Sequence, residues 1–333
     1  MKDISRVCGV SIATVSKALN GHKDIGEATR THIRQVAKQM GYFPNSAAKA
    51  LKTNRTHNLG VLFSDDAESG LTHDYFAHVL DSFKNTAEEK GYDITFINNS
   101  SSRHQRMSYL EHARYRSFDG VVIACVNFDD PEVEELVKSD IPIVTIDHLF
   151  DNRSTIISDN VKGMRDLVAY IYEMGHRKIA YIHGADSAVT QSRLSSFYKT
   201  CKELKLNIPP SYIREAPYRN TQGTYAQTCF LLDLKNPPTC IIYPDDFSCF
   251  GGINAIYSRG LKIPEDISVA GYDGIRIAKC FEPKLTTIVQ DTKRLGSEAA
   301  NKLISLIEHP KSTIAEQIIV TGKVFSGNSV KRI

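Results

Sequence analysis

The segment Gly9-Val10-Ser11-Ile12-Ala13-Thr14-Val15-Ser16-Lys17-Ala18-Leu19-Asn20-Gly21 carries a helical apolar pattern between two glycines. Val15, Ala18 and Leu19 share one face, with Val10 packing ahead of them. Ile12, Ala13, Ser16 and Lys17 point the other way. Gly9 permits a sharp turn before the helix, and Asn20-Gly21 is a strong stop after it. Upstream, Ile4, Val7 and Cys8 are spaced as on one face of a short helix. Downstream, a third helix of about Glu27 to Met40 would bury Ile33, Val36, Ala37 and Met40 and end at Gly41. Two short helices joined by a glycine turn and braced by a third form a helix-turn-helix unit. Small and polar groups at the start of the exposed face suit insertion into a major groove about 12 Å wide. The same pattern is compatible with a three-helix interaction domain.

Charge separates the two. The chain's net +3 divides into ten Lys/Arg against three Asp/Glu in residues 1–57, a balance of +7, and 31 against 35 in the remainder, a balance of −4. A basic head on a mildly acidic body points to a polyanionic partner. After the third helix comes Tyr42-Phe43-Pro44-Asn45-Ser46-Ala47-Ala48-Lys49-Ala50-Leu51-Lys52-Thr53. Pro44 ends the preceding helix, Asn45 can cap a new one, and the alanines favour it. A helix of about two turns is marginal by itself in water. It is either a structured linker or a hinge that folds on DNA and pushes Leu51 between base pairs.

The body has a different texture. Short β-rich runs at Leu59–Phe63, Ile94–Ile97, Gly120–Cys125, Ile143–Ile146, Ile179–Ile182, Thr239–Tyr243 and Ser268–Ala270 alternate with helical stretches. Those stretches include Val161–Met174, Ser192–Leu204, Thr221–Leu232 and Phe247–Arg259. Such alternation predicts parallel sheets covered by helices on both faces, and the body's length favours two lobes. Ligands in such folds bind beyond the C-terminal strand ends, here between the lobes.

Several classes are excluded by what the sequence lacks. The 333 residues are 41% hydrophobic and 24% charged, a globular composition. No apolar run approaches the ~18–20 residues of a membrane span, and Met1-Lys2-Asp3-Ile4-Ser5-Arg6 does not read as a signal peptide. Seven scattered cysteines without Cys-x-x-Cys fit free thiols in a reducing cytoplasm. Eleven histidines show no metal-ligand spacing. No Gly-x-Gly-x-x-Gly, Walker, His-Glu-x-x-His or Gly-x-Ser-x-Gly motif is present, so neither an enzyme nor a cofactor is expected.

Gly9 to Gly21, together with Gly41 to Leu51, closely resembles the lactose/galactose repressor family. The resemblance continues through Ile157-Ser158-Asp159-Asn160, Gly175-His176-Arg177-Lys178-Ile179-Ala180, Gly260 to Asp273 and Leu285-Thr286-Thr287-Ile288-Val289-Gln290. It implies an all-α helix-turn-helix head on an α/β body of two lobes with parallel sheets, folded like periplasmic sugar-binding proteins. It also implies a homodimer that reads a pseudo-palindromic operator, with hinge helices in the minor groove and Leu51 prying open the central step. The expected DNA contacts are Ser11, Ile12, Ala13, Thr14, Ser16, Lys17 and Asn20 in the head, and Asn45, Ala48, Leu51 and Lys52 in the hinge. The head covers 1–57, with the hinge helix at about 45–53. Lobe one is placed at about 58–158 plus 290–317, and lobe two at about 159–288 plus 318–333.

Polar and aromatic residues at strand ends supply the candidate effector site: Tyr75, Phe76, Asp147, His148, Arg193, Tyr218, Asp245, Asp273 and Gln290. Carboxylates and a guanidinium can each grip adjacent hydroxyls, and aromatic rings cover apolar sugar faces. That set points to a sugar, with a purine or nucleoside as the alternative ligand and a transport-type sugar-binding protein as the alternative function. Arg193 and Asp273 are the leading contacts; Asp159 and Asp246 read as helix caps. Where the family commonly has Asn-Asp this chain has Asp245-Asp246, and an ionised aspartate only accepts hydrogen bonds. Asp245 is therefore expected to favour a hydroxyl-rich or amino-bearing effector over an acidic one. The C-terminal Asn328-Ser329-Val330-Lys331-Arg332-Ile333 has no heptad pattern, so a coiled-coil tetramer is not expected.

Overall fold

Three helices build the N-terminal unit: α1 (Lys2–Cys8), α2 (Ile12–Leu19) and α3 (Glu27–Gln39). Gly9 ends α1 in the left-handed region at φ 64°, where a side chain would be strained. Ser11 caps α2 by accepting from Thr14 N at 3.0 Å. Ile4, Val15, Ala18, Ile33, Val36 and Ala37 form the core, with Val10, Leu19 and Tyr42 packed around it. Arg30 Nη2 donates to the carbonyls of His22 and Ile25, fixing the loop between α2 and α3. Two expected core positions are exposed: Val7 at 62% and Met40 at 45%. Ile4 alone fills the α1 contact, and α3 has turned Met40 away from the core by the time it ends.

The computed structural model describes residues 1–22, 24–43, 50, 55–64, 69–98, 106–280 and 282–333. The expected hinge contacts Asn45, Ala48, Leu51 and Lys52 lie outside the described residues. The compact units are Met1–Thr56 and His57–Ile333.

The second unit holds two lobes. In the first, β1 (Asn58–Phe63), β2 (Asp93–Phe96), β3 (Gly120–Ala124), β4 (Ile143–Ile146) and β5 (Ser154–Ser158) alternate with α4 (Asp74–Glu89), α5 (Tyr109–Tyr115) and α6 (Pro131–Lys138). In the second, α7 (Asn160–Glu173), β6 (Ile179–His183), α8 (Ala188–Glu203), β7 (Ile213–Glu215), α9 (Thr221–Leu232), β8 (Cys240–Ile242), α10 (Asp246–Ser258), β9 (Ser268–Asp273), α11 (Arg276–Cys280) and β10 (Thr286–Val289) follow. The chain then returns with α12 (Thr292–Glu308) and β11 (Gln317–Val320), and ends on β12 (Lys323–Phe325).

Lobe one has strand order β11-β5-β4-β3-β1-β2, lobe two β12-β10-β9-β8-β6-β7. Every pairing is parallel except β10 with β12. Apolar clusters cover both faces of each sheet. The central strands are accordingly continuous hydrophobic runs, as in Gly120-Val121-Val122-Ile123-Ala124, all buried. Helix α12 belongs to lobe one: its Leu295, Ala299, Leu303 and Ile307 pack with Val79, Leu80 and Phe83 of α4.

The chain crosses between lobes three times. One crossing differs from expectation. Gln317–Val320 pairs along its length with Thr155–Ser158, so β11 is a lobe-one strand and the last crossing falls at residues 321–322, not after 317. Helix α8 also begins at Ala188, earlier than expected, which places Arg193 within it and not at its start.

Candidate functional site

Strand ends converge on the gap between the lobes. A cavity of about 610 Å³ opens there, and all nine expected effector residues line it: Tyr75, Phe76, Asp147, His148, Arg193, Tyr218, Asp245, Asp273 and Gln290. Asp147 and His148 follow β4, Asp273 ends β9, and Gln290 follows β10. This is where open parallel sheets place ligands.

Arg193 is held from three sides. Its Nε donates to Asn160 Oδ1 at 2.8 Å, and Nη1 donates to Pro244 O at 3.1 Å. Its Cζ sits 3.6 Å from the Tyr272 ring centroid, and Nη2 is 3.9 Å from Asp273 Oδ1. Asp273 Oδ1 also accepts from Gln290 Nε2 at 2.7 Å, while Gln290 Oε1 is buried without a hydrogen-bond partner. A buried unsatisfied acceptor beside a guanidinium and a carboxylate is a waiting partner for a ligand hydroxyl. Burial pushes the Asp273 carboxyl up to about 7; the neighbouring carboxylates Asp245 and Asp147 add to the rise against Arg193 and Gln290.

Asp147 is more enclosed. Its Oδ2 accepts from Tyr75 OH at 3.1 Å and its Oδ1 from Ser158 N at 2.9 Å. Burial raises its pKa as well. Tyr218 packs flat against the chain at Gly184, where an added Cβ would lie 2.2 Å from its ring. Thr190 Oγ1 lies 2.8 Å from its hydroxyl. The Tyr75 and Phe76 rings meet edge-on at 4.8 Å. His148 stacks on Phe128, centroids 4.1 Å apart and 9° from parallel.

The two adjacent aspartates exchange the roles expected of them. Asp245 is the N-cap of α10: its oxygens accept from Ser248 N at 2.7 Å, Ser248 Oγ at 2.5 Å and Arg219 N at 2.9 Å. Its acceptors are engaged inside the protein, which removes the basis for its discriminating against acidic effectors. Asp246 is not the cap. It is buried and accepts from Ile275 N at 2.9 Å and Thr287 Oγ1 at 2.6 Å, joining α10 to the strand ends. Asp159 does cap α7, accepting from Lys162 N at 2.9 Å.

Arg219 carried no sequence signal. It sits at φ 58°, anchored in lobe two by its N–H to Asp245 and by its guanidinium 4.3 Å from the Phe247 ring centroid. From there Nε donates to Ser69 Oγ at 2.8 Å, and Nη1 lies 3.8 Å from Asp74 Oδ2, both in lobe one. The side chain is 9% exposed. Cys125, Asp147, Arg219 and Asp273 all line the cavity with positive φ, a concentration of backbone strain typical of binding sites. Among the described residues no group of His, Cys, Asp and Glu is arranged to hold a metal ion, and no helix is long and apolar enough to cross a membrane.

In the head, Ile12 and Ala13 are exposed at the start of α2. Lys17 Nζ donates to Asp24 Oδ2 at 2.6 Å, and Asn20 Nδ2 donates to Ser16 O at 2.8 Å. Ser11 and Thr14 are tied to each other by the cap and by a 2.9 Å hydroxyl contact. Ile12 and Ala13 are thus the uncommitted surface, and Lys17 carries a charge that a phosphate can compete for.

Known proteins share both parts. Residues 1–45 match the lacI family of bacterial regulatory proteins, and residues 168–330 match a periplasmic binding protein-like domain. The probable HTH-type transcriptional repressor ExuR of Bacillus subtilis (strain 168) is 30% identical over 337 residues, covering 100% of this chain and 98% of its own. The HTH-type transcriptional repressor PurR of Proteus mirabilis (strain HI4320) is 31% identical over 335 residues, covering 99% and 96%. The lac repressor dimer bound to operator and the anti-inducer ONPF superposes with a TM-score of 0.80 at 22% identity, over 99% of this chain and 98% of that one, which shows a shared fold. Helix-turn-helix head, two-lobed body and full-length likeness to named repressors agree: the chain belongs to the lacI family of bacterial regulatory proteins, the DNA-binding transcriptional repressors.

Proposed function

We propose that this protein represses transcription as a homodimer on a pseudo-palindromic operator, and that a sugar bound between the lobes sets its DNA affinity. The head reads each half-site through Ile12 and Ala13, whose apolar side chains suit thymine methyl groups, while Lys17 reaches a guanine acceptor or a phosphate. The hinge, through Leu51, works at the operator's centre. The body binds its ligand without turning it over, in the cytoplasm beside the chromosome.

The convergence of all nine effector residues on one inter-lobe cavity carries this reading. Asp273, Arg193 and the unpaired Gln290 Oε1 offer acceptors and donors at hydroxyl spacing. Tyr75, Phe76 and Tyr218 offer ring faces. The test is selection of an operator from random duplexes, followed by anisotropy titrations with a panel of sugars. A sugar that shifts the DNA affinity supports the proposal. The edge-on Tyr75–Phe76 pair and the relatives named PurR favour a second reading, a purine ligand, so nucleobases and nucleosides belong in the same titrations.

A further inference from the structure

The cavity is larger than one sugar ring needs, and its two sides differ in chemistry. One pyranose occupies on the order of 200 Å³ at the close packing of organic crystals, against about 610 Å³ available. The lobes are already joined by Arg219 to Ser69 and Asp74, so this is the space left with them drawn together. On the lobe-two side stand the hydrogen-bonding groups Arg193, Asp273 and Gln290. On the lobe-one side Phe128 and His148 form a flat stacked wall at 4.1 Å and 9°, backed by Phe150 with its centroid 4.7 Å from that of His148. Burial lowers the His148 pKa, so near neutral pH the imidazole presents an uncharged ring.

The carboxylate beside this wall does not compete for the remaining space. Asp147 precedes His148, but its positive φ turns its carboxylate to Tyr75 and Ser158, both within lobe one. The lobe-one wall therefore offers ring surface, with few free hydrogen-bonding groups. Aromatic walls of this kind hold flat apolar faces, and convergent polar groups hold hydroxyls.

Resting on the reading of the cavity as a sugar site, we propose that the effector is a two-ring glycoside: one sugar ring gripped by Arg193, Asp273 and Gln290, the second ring, sugar or aryl, stacked on the Phe128–His148 wall. Phe128 is a specificity-determining residue for that second ring. A single free sugar fills half the site and leaves the wall wet.

The test is calorimetry on the full chain with matched probes: the methyl glycosides of glucose, galactose, mannose and xylose, the phenyl glycoside of each, and disaccharides ending in each. The expected result is one sugar whose phenyl glycoside or disaccharide binds at least about tenfold tighter than its methyl glycoside, the scale of one ring contact. Phe128→Ala should bring that ratio to within about threefold of unity. Should Phe128→Ala melt early, His148→Ala serves as the second variant, with the same expected fall. Equal binding of methyl and two-ring probes overturns the inference and leaves the sugar reading standing. So does a loss on Phe128→Ala and His148→Ala that is equal for both probe types. Binding of no probe overturns both.

Discussion

Asp273 gives the effector site a pH dependence whose size follows from its surroundings. Burial holds its carboxyl up to about 7 in the empty site. A ligand hydroxyl that donates to Asp273 requires the ionised form, so binding must draw off the proton wherever the free site still holds it. The ionised fraction is about ten elevenths at about pH 8 and about one eleventh at about pH 6. Effector affinity should therefore rise about tenfold between them, worth ~1.4 kcal/mol. The empty protein shows the opposite trend. Its folded pKa exceeds the unfolded value of about 3.9, so between these the folded body binds more protons and its stability falls as pH rises. Calorimetry in two buffers of different ionisation enthalpy reads both the affinity and the proton released, close to one near pH 6 and close to none near pH 8. Asp273→Asn should bind weakly with no such slope. A flat profile in the wild type, or a slope that survives in Asp273→Asn, would refute the assignment of Asp273 as the acceptor.

Three further outcomes follow from specific contacts. Arg219→Ala removes the bridge to Ser69 and Asp74, so amide exchange should quicken at residues 70–76 of lobe one as well as at 217–222 of lobe two; a change confined to lobe two would make Arg219 merely a local anchor. Ile33→Ala opens the small head's core and should cost about 2–5 kcal/mol, abolishing operator binding while calorimetric effector binding persists. Lys17→Gln should lower the slope of log K against log salt by about one if Lys17 meets a phosphate, and should relax base preference at one operator position if it meets a guanine.

Local and periodic features were legible in the sequence because their causes are local. Gly9, the Ser11 cap and the Val15–Ala18 face are set within one turn of chain, and all appear as expected. Strand ends were legible because buried parallel strands are unbroken apolar runs, so the residues just after them fell in the cavity. The failures involve features fixed from a distance. Strand β11 is an edge strand with Ile319 exposed, and nothing in Gln317-Ile318-Ile319-Val320 tells which lobe it joins. Of two adjacent aspartates, only the backbone shows that Asp245 precedes the helix and Asp246 begins it. Arg219 acts through a positive φ and a partner 150 residues away. Phe128 reads as an ordinary loop aromatic until His148 is laid against it.

The central claim is that one ligand site and one DNA site, on different units, share a free energy. The direct measurement is operator affinity by anisotropy with and without saturating effector, paired with effector affinity by calorimetry with and without operator. The account predicts a shift on the order of 5–150-fold in each, by the same factor in both. An effector that binds the cavity tightly yet leaves operator affinity unchanged would contradict it.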